Sequence, residues 1–218
     1  MTDNKFSKHK QDPHYIKAKK AGYRARSAYK LLDIDKKYNI FKRAFYILDL
    51  GSAPGSWLQV AYERAQKNII KYKDKFYHRD HVRIMGVDTK HITPLEDVKT
   101  IKMDFTDASF KEELLLFFHE EKIDLILSDA SIKKSGHHFS DHLRQITLCY
   151  QVLEIAKEFL RTKGSLVLKI FQGTDMNRLK KDLQKYFNFV KAYKPKASKK
   201  KSNEIFLICL RKYDNKEI

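Results

Sequence analysis

The feature that most constrains the fold is an apolar run, Tyr46 to Leu50, that leads directly into a turn rich in glycine and proline and then into a segment of helical pattern. This succession predicts a strand, a tight loop and the N-terminus of a helix. Backbone N–H groups of such a turn point beyond the carboxyl end of the strand, and Gly51 and Gly55 would let a ligand approach the backbone closely. The turn therefore predicts a cradle for a nucleotide-like cofactor, although a plain strand-to-helix turn has the same pattern.

The spacing of the turn residues narrows the kind of cofactor. The segment Asp49 to Gly55 reads D-x-G-x-x-x-G. This is neither the G-x-G-x-x-G of dinucleotide-binding proteins nor the G-x-x-x-x-G-K-[ST] of phosphate loops. The absence of the first pattern argues against a dehydrogenase. We therefore expect S-adenosylmethionine to be the cofactor.

Strand patterns and helix patterns alternate along the rest of the chain. The predicted strands are 46–50, 82–87, 99–102, 123–128, 164–170, 188–193 and 204–210, and the predicted helices are 56–66, 108–120, 140–161 and 175–187. Before them, Tyr15 to Tyr38 has helical spacing, and Ser27 can cap its second helix. The alternation predicts an α/β fold with a mainly parallel sheet covered by helices on both faces.

The chain length of 218 residues suits one such domain with short appendages. We expect a basic N-terminal RNA-binding arm at 1–26, the α/β domain at 27–213 and a tail at 214–218. A charged insert at 67–81 should form a solvated loop without changing the strand order.

The charge favours a polyanionic partner. Lys and Arg total 45 against 27 Asp and Glu, which gives a net charge of +18 and an isoelectric point near 9.7. Nucleic acid is the partner we expect, because no apolar stretch approaches the roughly 20 residues of a membrane span. We also expect a monomer.

Cysteine and histidine usage predicts no metal site. Cys149 and Cys209 show no C-x-x-C spacing, so we expect neither disulfides nor zinc. His137 and His138 lack a third ligand-spaced partner and are interpreted as polar loop residues. A reducing intracellular compartment fits best, whether the cytoplasm, the nucleolus or an organelle such as the mitochondrion.

Polar residues stand where the predicted parallel strands end, namely Asp49, Asp88, Asp129 and Lys169. This is the edge at which open α/β folds bind ligands. Asp88 is our candidate for holding the ribose hydroxyls of the cofactor, although a loop acid or helix cap is the ordinary alternative. Lys169 lies inside an apolar strand, where an unpaired ammonium group is costly, so it has a partner or a function unless it extends to solvent. An antiparallel last strand would begin at the same edge and bring Glu204 to the site.

Basic residues border the same edge. The lysine-rich segment 194–201, between the last two predicted strands, predicts a rim that binds phosphates, although it could be an ordinary charged hairpin loop. The candidates for RNA binding are Arg24, Arg26, Lys196, Lys199, Lys200 and Lys201.

Six segments form a recognisable set in order along the chain. They read DPHY from residue 12, GYRARSAYKLL from 22, LDLGSAPGSW from 48, LSD from 127, VLKIFQG from 167 and SNE from 202. Together they closely resemble the RrmJ/FtsJ family of RNA ribose 2'-O-methyltransferases, over residues 12 to 210. The resemblance implies a Rossmann-like, S-adenosylmethionine-dependent methyltransferase fold with a seven-stranded, mostly parallel sheet and an antiparallel last strand. The resemblance implies cofactor contacts at Gly55, Trp57, Asp88, Asp104 and Asp129. Gly51 and Pro54 of the turn are further candidates for contact with the cofactor.

The resemblance also implies a catalytic tetrad, which falls here on Lys30, Asp129, Lys169 and Glu204. A ribose 2'-hydroxyl must lose its proton while it attacks the methyl group in line, so the reaction needs a base, a fixed hydroxyl and an aligned cofactor. We expect Lys169 to be the general base and Asp129 to orient it. Lys30 and Glu204 would position the ribose and the base.

The expected substrate is a uridine of large-subunit ribosomal RNA, within an assembled large ribosomal subunit. A transfer RNA anticodon loop is an alternative, and so is a catalytically silent RNA-binding subunit. One segment departs from the family, which usually has an Ala-Pro step and then Asn or Asp after the strand-end Asp. This chain reads Asp129-Ala130-Ser131-Ile132-Lys133 there, which predicts a different loop over the methyl donor.

Overall fold

The structure, a computed structural model, describes residues 12–72, 81–133, 135–173, 175–199 and 202–214. Three expectations fall partly outside these ranges: the RNA-binding arm before residue 12, the insert at 73–80, and the tail after residue 214. Lys200 and Lys201 of the predicted rim also lie outside them. Within the ranges, no helix is long and apolar enough to cross a membrane.

Seven strands in the described part of the chain form one mixed sheet. They are β1 (Tyr46–Leu50), β2 (Arg83–Asp88), β3 (Lys99–Lys102), β4 (Ile123–Ser128), β5 (Leu160–Phe171), β6 (Phe187–Tyr193) and β7 (Glu204–Lys212). Their order is β3-β2-β1-β4-β5-β7-β6. Neighbours from β3 to β5 are parallel, whereas β7 is antiparallel to both β5 and β6. The predicted fold, including the antiparallel last strand, is confirmed.

Helices cover both faces of this sheet. Those in the described ranges are α1 (Pro13–Lys20), α2 (Ala28–Tyr38), α3 (Ser56–Tyr72), α4 (Phe110–Phe118), α5 (His138–Phe159) and α6 (Met176–Gln184). In α2, for example, the apolar residues Ala28, Leu31 and Ile34 recur on one side of the helix and are buried. One apolar cluster joins α2 and α3 to the sheet, and a second joins α4, α5 and α6 to the opposite face.

The strand order creates a reversal point beside β1. The chain runs from β1 to β2 and β3 on one side, then crosses to β4 on the other side of β1. Open α/β sheets bind ligands at such a point, beyond the carboxyl ends of the strands. Every residue of β1 and of β4 is buried. Packing on both faces of the sheet therefore holds the carboxyl ends of these two neighbouring strands in place.

A buried carboxylate organises the opposite edge of the sheet. Asp124 accepts hydrogen bonds from the N–H groups of Phe45 and Tyr46, both at 2.8 Å, and from Arg161 Nε at 2.5 Å. Buried backbone N–H groups at the start of a strand need acceptors, and Asp124 supplies them. The guanidinium group of Arg161 balances the charge.

Three local expectations were wrong. Ser27 occupies the N-terminal position of α2 but makes no capping bond, because its hydroxyl lies 2.8 Å from Ser56 Oγ instead. α3 continues past residue 66 to Tyr72, since Ile69 and Tyr72 still pack on the core while the charged side chains face solvent. β5 begins at Leu160, directly after α5, rather than at residue 164.

Candidate active site

A cavity of about 370 Å³ opens at the reversal point of the sheet. Four of the predicted cofactor contacts line it: Gly51, Asp88, Asp104 and Asp129. Each lies at or just beyond the carboxyl end of a parallel strand, as the strand-end argument requires. The rest of the lining is partly apolar and includes Met103, Phe105, Ile132 and Leu148. A cleft of this size with a few convergent polar groups suits a small organic ligand.

Gly51 adopts a backbone conformation that brings two loops together. Its φ is +77°, and a Cβ atom there would lie 2.5 Å from Ala130 Cα. A side chain would therefore separate the turn after β1 from the loop after β4. Gly51 lets the two backbones form one continuous cavity wall.

Gly55 makes room for an arginine rather than for the cavity. Its φ is +100°, and a Cβ atom there would collide with the Arg24 guanidinium group. Arg24 donates hydrogen bonds to the carbonyl groups of Pro54 at 3.3 Å, Thr93 at 2.5 Å and Pro94 at 2.7 Å. The sequence predicts a phosphate contact for Arg24. In the structure, Arg24 ties the turn after β1 to the loop after β2.

Asp88 has two roles within its own loops. Its Oδ2 accepts the Ala53 N–H at 2.9 Å and its Oδ1 accepts the Lys90 N–H at 2.8 Å. A carboxylate oxygen has a second lone pair, so these bonds leave acceptor capacity on the cavity side. The loop-acid interpretation and the cofactor-contact interpretation are therefore compatible.

Trp57 does not line the cavity. Its ring is buried against Phe206, with 5.6 Å between the ring centroids, and its indole N–H donates to the Ser27 carbonyl at 2.9 Å. Pro54 and Gly55 are not cavity-lining residues either, although their neighbour Ala53 is. Pro54 and Gly55 shape the turn and Trp57 packs beneath it. For these three residues, a direct contact with the cofactor stays a prediction.

Asp49, near the end of β1, is a further functional candidate, which the strand-end pattern marks without assigning it a role. Its side chain is fully buried, and neither carboxylate oxygen has a hydrogen-bond partner among the described residues. Burial raises the pKa of Asp49 well above its ordinary value, and the neighbouring charges of Asp129 and Asp88 raise it further. Asp49 is therefore favoured in its neutral form beneath two acidic residues of the cavity wall. Only the fold reveals this burial.

Lys169 is paired with Asp129. Its Nζ lies 3.2 Å from Asp129 Oδ1 and donates to the Asp129 backbone carbonyl at 2.5 Å. The Lys169 residue is 6% exposed, so the alternative in which it extends to solvent is wrong. The buried ammonium group has the partner that its cost demands.

Lys30 and Glu204 form the second half of the predicted tetrad. Lys30 Nζ lies 3.2 Å from Glu204 Oε2. In the β5–β7 ladder, Lys169 stands opposite Phe206, and Lys30 Nζ lies 5.7 Å from the centroid of that phenylalanine ring. The structure therefore brings all four residues to one edge of the sheet, as two ion pairs near Phe206.

The basic rim lies beside this edge. Within it, the side chains of Lys196 and Lys199 are exposed while Ala197 and Ser198 are buried. Arg26 donates to the Ala197 carbonyl at 2.8 Å and pairs with Asp12, so it holds the rim against the N-terminal segment. Burial lowers the pKa of Arg26, and the charge of Glu204 opposes that shift.

Among residues 12–72, 81–133, 135–173, 175–199 and 202–214, no group of three or more His, Cys, Asp or Glu side chains could hold a metal ion. His137 directly precedes α5 and His138 is its first residue, so His138 begins a helix rather than lying in a loop.

Comparison with known proteins gives consistent matches over nearly the whole chain. The model of the FtsJ-like methyltransferase family matches residues 23–212. The ribosomal RNA large subunit methyltransferase E of Anaplasma marginale is 41% identical over 88% of this chain and 89% of its own length. The protein of the same name from Rickettsia felis is 36% identical over 92% of this chain and 85% of its own length. A crystal structure from Plasmodium falciparum, provisionally assigned as a ribosomal RNA methyltransferase, is 31% identical with a TM-score of 0.76, over 88% of this chain and 100% of that one.

Proposed function

Because the chain belongs to the FtsJ-like methyltransferases, we propose that it transfers a methyl group to a ribose 2'-hydroxyl of large-subunit ribosomal RNA, at a uridine. The family inferred from the six sequence segments is confirmed, and S-adenosylmethionine is the methyl donor that membership indicates. The observation that carries the proposal is the buried pairing of Lys169 with Asp129 at the edge of the cavity.

The residues of the cavity fit S-adenosylmethionine, which supplies an electrophilic methyl group when bound. Asp88 and Asp104 offer carboxylate oxygens to hydroxyl and amino groups, and Met103 and Phe105 offer apolar surface to a purine ring. Asp129 adds negative charge where a positively charged donor must be accommodated. In this proposal Asp88 holds the cofactor ribose while it keeps its two loop hydrogen bonds.

Lys169 is the general base in this proposal. Its neutral amine would donate to Asp129 and direct its lone pair at the ribose 2'-hydroxyl. The hydroxyl proton would move to Nζ as the 2'-oxygen forms its bond to the methyl carbon and the bond from that carbon to the sulfonium sulfur breaks, with its electron pair staying on sulfur. The proton would end on Lys169 and the methyl group on the ribose, and S-adenosylhomocysteine would be released. The Asp129 carboxylate, 3.2 Å from Nζ, stabilises the ammonium group that forms.

Lys30 and Glu204 serve the substrate side of the reaction. Their ion pair is 12% and 26% exposed at the two side chains, so both groups remain reachable by a bound ribose. Hydrogen bonds from these groups would fix the hydroxyl in line with the methyl carbon. The exposed Lys196 and Lys199 extend the same edge toward the phosphates of the RNA.

The substrate is tested by supplying labelled S-adenosylmethionine with undermethylated large ribosomal subunits, free ribosomal RNA or transfer RNA. Nucleoside analysis of the product then separates ribose methylation from base methylation. The proposal expects 2'-O-methyluridine in the large subunits. Labelling of transfer RNA alone would move the protein to the anticodon-loop alternative, and cofactor binding without transfer to any RNA would favour the catalytically silent subunit.

A further inference from the structure

Gln145 is a buried polar residue of α5 to which the tetrad and the cofactor cavity give no role. It is 1% exposed, so its carboxamide must find its partners within the protein. The Oε1 atom accepts the N–H of Ile132 at 3.2 Å. The Nε2 atom donates to the carbonyl groups of Ala130 and Lys169, both at 3.2 Å. One side chain therefore bonds to the loop after β4 and to the β5 backbone at Lys169.

These backbone groups need a partner because the ladder between β4 and β5 ends just before them. The parallel ladder between β4 and β5 stops at the pair Ser128 and Leu168. Beyond it, Asp129 turns away into the loop while β5 continues through Lys169. Buried carbonyl and N–H groups left without ladder partners must be satisfied by side chains, and a carboxamide can both donate and accept.

We propose that Gln145 is a positioning residue that holds Asp129 and Lys169 at their working distance and fixes the cavity wall beside them. The inference rests on the proposed function, since it assigns Gln145 to the same reaction. Its backbone bonds hold Ala130, which directly follows Asp129, and Lys169 itself. Ala130 and Ile132 also line the cavity, so the same bonds set the wall that the methyl donor would meet.

A purely structural role can be separated from this one, because Cys149 provides a matched control. Cys149 lies one helical turn after Gln145, is equally buried, and donates from Sγ to the same Lys169 carbonyl at 3.4 Å. Among the bonds described, however, Cys149 makes none to the loop after β4. Cys149→Ala therefore removes a buried contact to Lys169 and the long 4.0 Å contact from Gln145 Nε2 to Sγ, and it keeps all three backbone bonds of Gln145.

The test measures single-turnover methyl transfer to large ribosomal subunits by Gln145→Met, which keeps the side-chain length but removes all three backbone bonds. We expect the rate at saturating cofactor and RNA to fall on the order of 10- to 100-fold, as displacements of about 1 Å do at active sites. Cys149→Ala should stay within about twofold of the wild type. In a Lys169→Ala background, Gln145→Met should cause no further loss, because its effect runs through the Asp129–Lys169 pair.

Gln145→Glu provides a second variant if Gln145→Met does not fold, since it keeps the shape and the acceptor but loses both donors. Amide hydrogen exchange of segment 130–133 provides a readout that does not depend on activity. Gln145→Met should accelerate it, because this variant loses the acceptor of the Ile132 N–H. Three results would each overturn the inference. They are full activity of a folded Gln145 variant, unchanged exchange of segment 130–133 in Gln145→Met, and a rate loss from Gln145→Met in the Lys169→Ala background as large as in the wild-type background. Failure of the wild-type protein to transfer a methyl group to RNA would instead overturn the proposed function. The exchange data would still test whether Gln145 holds the loop after β4.

Discussion

Replacing Asp49 by asparagine should stabilise the protein at neutral pH, although it changes only one oxygen atom for an NH₂ group. The Asp49 carboxyl is fully buried without a hydrogen-bond partner in the described part of the chain, and it faces the charges of Asp129 and Asp88. An ionised carboxylate in this position is strongly disfavoured. Folding at neutral pH must therefore protonate Asp49, and asparagine would avoid that cost.

The magnitude follows from linkage. The ordinary pKa of an aspartate is 3.8, and the folded-state pKa of Asp49 is raised well above it. Between these two values the unfolded state has lost the proton and the folded state keeps it. Stability contributed by protonated Asp49 is thus fully present below the ordinary pKa and falls by about 1.4 kcal/mol per pH unit as the pH rises toward the folded-state pKa. The asparagine side chain of the variant does not titrate, so the advantage of the variant grows by the same amount.

The assay is urea unfolding of the wild type and Asp49→Asn at about pH 5 and about pH 8. We expect the free energy of unfolding of the variant, relative to the wild type, to increase by at least about 1 kcal/mol between the two conditions. Asp124→Asn is the matched control, because Asp124 is also buried but is bound by Arg161 and two N–H groups, and its replacement should destabilise at both pH values. A constant difference between wild type and Asp49→Asn, or a destabilised variant at about pH 8, would refute the reasoning.

Three further predictions follow from the site. S-adenosylmethionine carries a sulfonium charge that S-adenosylhomocysteine lacks, and this charge would favour ionised Asp49 in the complex. The affinity for S-adenosylmethionine should therefore rise more steeply with pH than the affinity for S-adenosylhomocysteine. Calorimetry that gives the same pH dependence for both ligands would contradict this. Arg24→Lys should weaken cofactor binding by about tenfold, since a lysine cannot bond to three carbonyl groups in the same geometry. An unchanged dissociation constant would show that the bonds from Arg24 to the loops after β1 and β2 do not shape the cofactor site. The double variant Lys196→Ala and Lys199→Ala should lower the slope of log affinity for RNA against log salt by about one to two without lowering the saturated rate; an unchanged slope would place the RNA elsewhere.

The strands β1 to β4 could be predicted closely because their apolar runs are bounded by strong turn residues. β4 begins and ends where the sequence predicts, and β1 ends at the glycine turn. The end of α3 could not be predicted, since an amphipathic helix continues as long as one side still packs, however charged the other side is.

The chemistry of the candidate site was less accessible to sequence reasoning. The apolar strand around Lys169 indicated that this residue needs a partner, and the family resemblance added Asp129; the structure shows the two paired. The isolation of Asp49 and the contacts of Trp57 depend on which elements pack around them, which no local pattern encodes. Arg24 was predicted as a phosphate contact. In the structure its guanidinium group donates to the carbonyl groups of Thr93 and Pro94, and the phosphate contact stays a prediction.

The central claim is that Lys169 accepts the ribose proton, and Lys169→Met tests it most directly in single-turnover methyl transfer to undermethylated large subunits. Lys212→Met is the matched control, because Lys212 is also buried but lies at the far end of β7, bonded to the carbonyl groups of Lys157 and Leu160. The account predicts that Lys169→Met loses at least about 100-fold in rate while it still binds S-adenosylmethionine, and that Lys212→Met loses stability but keeps its rate. Ribose methylation at the wild-type rate by Lys169→Met would contradict the account.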